Sequence, residues 1–257
     1  MAEPVVKTRA DAPPRFFEAE AAGLAWLAEP EASGGVHIVR VLDVAPGRLT
    51  LERIAAGRPD AASAAAFGRA LAAPHGAGAA AFGAPPDGWD GPLFIGRRPQ
   101  PAAHEEAWGA FYARDRVLPF VGPAVDAGHL TTWGAALVER ACATIADGAF
   151  DDADPPARLH GDLWNGNVLW GPDGVVLIDP AAHGGHRETD LAMLQLFGCP
   201  LLDAVLGAYV DAHPLRPGWR ERVPVHQLHP LAVHAAGHGP SYGRALIDAA
   251  RRVLALA

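Results

Sequence analysis

Apolar residues along this 257-residue chain change period several times, and each change marks an element. Pro4 to Thr8 is short and valine-rich and predicts a strand. Phe16, Phe17, Leu24 and Leu27 then recur at helical spacing, so Arg15 to Ala28 reads as an amphipathic helix. Glu20 falls on the same side as Leu24, where a charge on an apolar stripe calls for a cationic partner. Glu18 is the nearest competitor for that place. Val36 to Val44 and Arg48 to Ile54 are β-rich runs around Ala45-Pro46-Gly47 and predict a hairpin.

Behind these runs the pattern becomes helical. Glu52-Arg53-Ile54 and Gly57-Arg58-Pro59 form a short hinge, after which Asp60 caps an alanine-rich helix reaching about Ala73. Pro74 to Pro101 is rich in Pro and Gly and has no period, yet Phe82, Trp89, Phe94 and Ile95 predict packing rather than disorder. Helices are predicted over 104–118, 130–146, 187–197, 219–233 and 241–256. Strands and one helix in front of a helical remainder predict an α+β, two-lobed fold. The small β-rich N-lobe would span 1–57 and the larger helical C-lobe 58–257.

The densest chemistry lies in Leu159-His160-Gly161-Asp162-Leu163-Trp164-Asn165-Gly166-Asn167, followed by Val175-Val176-Leu177-Ile178-Asp179-Pro180. The spacing from His160 through Asp162 to Asn167 matches the H-R-D-x-x-x-x-N catalytic loop, with Gly161 in place of Arg. Phosphoryl transfer uses such a set: one carboxylate orients the attacking hydroxyl, while an amide oxygen and a second carboxylate hold magnesium. A turn would account for Asn165-Gly166, but not for an Asp that ends an apolar strand. Of 21 basic residues only Lys7 is a lysine, and Val5-Val6-Lys7 resembles the nucleotide-binding lysine of V-A-I-K. A Lys7–Glu20 pair would explain both residues. Asp190 opens the helix predicted at 187–197, which suits a capping role rather than chemistry.

Composition narrows the class. A net charge of −8 disfavours nonspecific nucleic-acid binding. No apolar run reaches the roughly 18 residues a membrane span needs, and the N-terminus does not read as a signal peptide. Cys142 and Cys199 are isolated thiols, which fits a reducing, cytoplasmic setting. Histidine pairs such as His183/His186 and His226/His229 give tempting spacings, but no H-E-x-x-H is present and zinc is not expected.

These motifs, together with Gly185-His186-Arg187-Glu188-Thr189-Asp190-Leu191-Ala192-Met193, the Phe17–Leu24 segment and Phe94-Ile95-Gly96 with Gln100 and Trp108, resemble the fructosamine kinase (ketosamine 3-kinase) family. The resemblance implies a protein-kinase-like fold shared with aminoglycoside and choline kinases. It implies Asp162 as catalytic base, Asn167 and Asp179 as magnesium ligands, and Lys7 with Glu20 on ATP. The resemblance to related kinase folds also implies that Asp190 braces the catalytic loop from below. Backbone groups near Glu52, Arg53 and Ile54 would meet adenine, and Trp164 and His234 would contact substrate. The implied reaction is phosphorylation of the 3-hydroxyl of a ketosamine, free or protein-bound, as a deglycation repair.

Six residues precede Lys7, too few for the glycine-rich loop of a kinase. Either the working protein is longer, or this form is expected to bind ATP weakly and to hydrolyse it. That feature motivates a rival reading as a pseudokinase-like binding module. A further alternative is a kinase of the same fold acting on an aminoglycoside or choline-like alcohol.

Overall fold

The computed structural model describes residues 3–257. Strand β1 (Val5–Thr8) pairs antiparallel with β4 (Arg48–Leu51), which pairs with β3 (Val41–Ala45), giving the order β1-β4-β3. Helix α1 (Phe16–Ala28) packs on this sheet and buries Phe17, Leu24 and Leu27 with Leu49 and Leu51. The expected hairpin is therefore β3–β4. The front of the predicted first run, β2 (His37–Ile38), leaves it and pairs parallel with β9 (Gly174–Leu177), itself antiparallel to β8 (Val168–Gly171). A parallel partner 139 positions away, as in His37 opposite Val176, carries no local sequence signal.

Helix α2 (Ala61–Ala77) starts at the predicted Asp60 with a capping box: Asp60 accepts from the Ser63 amide at 2.7 Å, and the Ser63 hydroxyl accepts from the Asp60 amide at 3.1 Å. It runs past the expected end at Ala73 and carries Pro74 inside it. Its neighbour α7 (Leu202–Ala212) was not anticipated from the apolar pattern. Gly68 lets the two helices approach, because a Cβ there would collide with the Val205 carbonyl. In the aperiodic stretch, β5 (Leu93–Ile95) and β6 (Arg98–Gln100) form a short hairpin.

The helix expected over 104–118 begins later and runs further. It comprises α3 (Trp108–Phe111), a π-helical segment Tyr112–Val117, and α4 (Leu118–Asp126). Next come α5 (Thr132–Ala146), β7 (Ala157–Leu159), β10 (His183–Gly185), α6 (Glu188–Leu196), α8 (Trp219–Ala235) and α9 (Pro240–Leu256). The second core lies among α5, α8, α9 and the π segment, around Val138, Ile145, Val225, Leu246 and Val253.

The π segment meets a defect in α8. Pro230 has no N–H, so the His226 carbonyl four residues earlier loses its helical donor. The Tyr112 hydroxyl lies 2.8 Å from that carbonyl and accepts from the His229 amide at 3.1 Å. Tyr112→Phe removes the buried hydroxyl that the His226 carbonyl and the His229 amide share. The expected cost is about 1–3 kcal/mol in urea unfolding; an unchanged midpoint would contradict this account.

Candidate active site

Strand β7 delivers His160, Gly161 and Asp162 into a loop that runs against its partner strand β10, where Leu159 lies opposite His183. Gly161 adopts φ +78°, and a Cβ there would run into the Ala181 carbonyl. The loop is held from beneath by Asp190, which is 1% exposed. Asp190 accepts from the backbone amides of His160 at 2.7 Å and Gly161 at 3.0 Å. His75 Nε2 donates to the same carboxylate at 3.2 Å, which leaves Nδ1 to accept from the Tyr209 hydroxyl at 2.8 Å. The expected bracing role is present. The capping role is not: Arg187 occupies the cap position of α6, and no side chain caps that helix.

Beyond the loop the predicted groups meet in one cavity of about 670 Å³, whose lining includes Lys7, Glu20, Asp162, Trp164, Asn167 and Asp179. Lys7 Nζ lies 2.6 Å from Glu20 Oε1 and 2.9 Å from Asp179 Oδ1, so the helical stripe and the strand meet as the pattern predicted. Burial disfavours the Lys7 charge, but these two carboxylates outweigh it and raise its pKa. Burial also pushes the Glu20 carboxyl up, against the pull of Lys7. Glu18 stays out of the pair; its Oε2 is buried without a hydrogen-bond partner among the described residues.

The Asn167 amide nitrogen donates to the Asp162 carbonyl at 2.7 Å and to Asp162 Oδ2 at 3.1 Å. Both its N–H groups are thereby used, so Oδ1 is the atom left for a cation. Asp179 takes a left-handed backbone at φ +55°, unusual for a residue with a side chain. Asp162 is pushed up to about 7, first by burial and then by the charges of Asp179 and Asp190, with the Asn167 bond opposing. A carboxyl tuned close to neutral pH suits a general base. Among the described residues, this donor set of two carboxylates and an amide oxygen fits a hard cation such as magnesium.

The substrate candidates lie along one wall. Trp164 is 40% exposed and meets Phe197 edge-on at 6.1 Å; Phe197 lies 4.7 Å from His234, which lies 5.0 Å from both Tyr242 and His238. His234 is not in the main cavity but lines a small void with Gly161 and Asp162. Its Nδ1 faces the Pro230 carbonyl at 2.7 Å, and burial lowers its pKa. The hinge residues do not join the set. Glu52 binds the Arg40 amide, Arg53 reaches the Glu3 carbonyl, Ile54 packs on the core, and none of the three lines the cavity. The lining also includes residues not singled out as site residues from the sequence, among them Arg9, Phe16, Phe94 and Arg97. Arg9 was the most accessible to inference, two positions beyond Lys7 along the strand direction.

The fold is of the protein-kinase-like class. A choline/ethanolamine kinase family protein from Mesorhizobium loti shares this fold, with a TM-score of 0.53 at 19% identity over 92% of this chain and 79% of that one. Residues 3–255 match the model of the fructosamine kinase family, and the chain belongs to that family, whose members transfer phosphoryl groups to hydroxyls of sugar–amine adducts. A crystal structure from Thermobifida fusca YX-ER1, assigned as a fructosamine-3-kinase, superposes with a TM-score of 0.88 at 46% identity, covering 97% of this chain and 85% of that one. A protein of Enterococcus faecium named "Probable ketoamine kinase" is 34% identical over 240 residues, 89% of this chain and 79% of its own length.

Removing the Asp190 carboxylate strands two buried amides and His75 at once. Asp190→Ala is expected to cost about 3–5 kcal/mol in urea unfolding, and Asp190→Asn, which keeps one acceptor, to recover part of that. Equal stability of the two variants would refute the bracing account.

Proposed function

We propose that the protein transfers the γ-phosphoryl group of ATP, with Mg²⁺, to the 3-hydroxyl of a ketosamine such as a fructosamine or ribulosamine. The observation that carries this reading is the meeting of Asp162, Asn167 and Asp179 with the Lys7–Glu20 pair in one cavity. In this reading the larger lobe, 58–257, supplies the base and the metal ligands, while the smaller lobe, 1–57, supplies the lysine. Lys7, aligned by Glu20, binds the nucleotide phosphates. Asn167 Oδ1 and the Asp179 carboxylate hold magnesium, which neutralises charge on the transferring group. Asp162 takes the proton of the acceptor hydroxyl as that oxygen attacks.

Trp164 offers an exposed aromatic face two residues beyond the base, and the row through Phe197 to His234 extends it. That surface suits the ring and amine portions of the acceptor, whether the amine is free or on a protein. A 3-phosphorylated adduct is unstable and releases its amine, so the reaction repairs glycation, here in the cytoplasm. A pure binding module would have no use for a base, an amide oxygen and a second carboxylate in the same cleft.

Asp162→Ala is expected to lower kcat by about 10²–10⁴-fold, the usual contribution of a general base, while ATP binding by calorimetry stays close to that of the unmodified protein. Retained turnover of a ketosamine, followed by coupled ADP release, would remove Asp162 from this role.

A further inference from the structure

The proposed chemistry leaves two guanidinium groups on the cavity wall without a task. Arg9 stacks over the Phe16 ring at 4.9 Å and donates through Nε to Asp11 at 3.1 Å, while its Nη1 is buried and has no hydrogen-bond partner among the described residues. Arg97 is exposed at the tip of the β5–β6 hairpin, beside Gly96 at φ +55°, and has no hydrogen bond or ion pair among the described residues. Asp11 pairs with Arg9 at 3.1 Å and no carboxylate pairs with Arg97 among the described residues, so the two arginines keep a net positive charge. That is unusual here, where the chain carries −8 overall and the next arginine, Arg98, is tied down.

Arg98 fixes which half of the cleft Arg97 serves. Its Nη2 donates to the Ala236 carbonyl at 2.5 Å, fastening the hairpin to the end of α8, the helix that carries His234. Ile95 of the same hairpin lines the small void beside Asp162 and His234, and Phe94 packs on Phe16 at 5.1 Å. The hairpin that carries Arg97 is therefore anchored to the helix of His234, the acceptor candidate, while Arg97 itself lines the same cavity as Asp162. A free guanidinium fork there matches an oxyanion, which it can bind through two parallel hydrogen bonds.

We propose that Arg97, with Arg9 behind it, recognises an oxyanion carried by the acceptor, so that this protein prefers anionic ketosamines. The oxyanion is either the carboxylate of a glycated free amino acid or a phosphate on the sugar. The proposal rests on the kinase reading above and adds its substrate class. Because Arg97 is exposed, its contribution is expected to be about tenfold in kcat/KM and to shrink with added salt.

The test measures initial rates at saturating Mg-ATP with three adducts: fructosyl-glycine, fructosyl-glycinamide and the 6-phosphate of fructosyl-glycinamide. The unmodified protein should favour at least one anionic adduct over the neutral amide by about tenfold, and whichever is favoured identifies the oxyanion. Arg97→Gln should raise KM for that adduct until the preference falls below about twofold, with KM for ATP unchanged; Arg97→Lys should restore part of it. Equal kcat/KM for all three adducts would overturn the proposal and leave the kinase reading standing. A raised KM for ATP in Arg97→Gln with the preference intact would assign Arg97 to the nucleotide and overturn it as well. No turnover of any adduct would overturn both readings.

Discussion

The geometry of the cleft depends on one buried carboxylate. Asp190 sits on the first turn of α6, yet it reaches across to the amides of His160 and Gly161 and fixes the backbone that carries Asp162. A buried charge of this kind is stable only when fully partnered, and His75, itself held by Tyr209, supplies the third bond. The brace thus links α2, α6, α7 and the loop. Helix packing in the larger lobe is converted into the position of a single oxygen pair.

A second constraint acts from the other side of the cleft. Asp179 follows β9 after one residue and takes a left-handed backbone, a conformation that costs on the order of 1 kcal/mol without glycine. The gain is direction. The carboxylate meets Lys7 from the opposite lobe at 2.9 Å, while its own carbonyl lies 3.4 Å from the Asn167 amide nitrogen. Lys7 is therefore shared between Glu20, which anchors it to α1, and Asp179, which ties it to the larger lobe. One ammonium group registers the two halves of the cleft against each other.

Much of this was legible along the chain because the signals are local. The spacing 160–162–167 and the Asp ending a strand name three groups without any knowledge of the fold. The Lys7–Glu20 pair could be read because a carboxylate on an apolar stripe and a lone lysine each need an explanation, and they explain each other. What escaped depends on distant partners. The parallel pairing of β2 with β9, the continuation of α2 through Pro74, and the π segment plugged into α8 by Tyr112 are all set by contacts across 100 or more positions or by tertiary packing. Helix α7 escaped for a related reason: its backbone packs closely on α2 at Gly68, an approach its own pattern cannot reveal. Arg97 escaped because an exposed arginine in an aperiodic stretch is ordinary until the hairpin places it at the cleft.

The histidines show how far spacing alone misleads. His186, Glu188 and His226 are buried together with ligand atoms close enough for an ion, and Asp152 and Asp154 stand beside His186. The hydrogen-bond pattern argues against that use. His186 Nδ1 accepts from the Glu188 amide at 3.2 Å, so Nε2 carries the hydrogen and faces Asp152 at 3.4 Å rather than offering a lone pair. Glu188 is bound by the Arg222 guanidinium at 2.5 and 3.1 Å, and against burial the His226 hydrogen bond, with that of Arg222, holds its carboxyl down at about 2. A cation at this place would have to expel an arginine and reverse a tautomer. The cluster instead cross-links α6 to α8 through charge, and so steadies, two residues upstream of Asp190, the helix on which the brace is mounted.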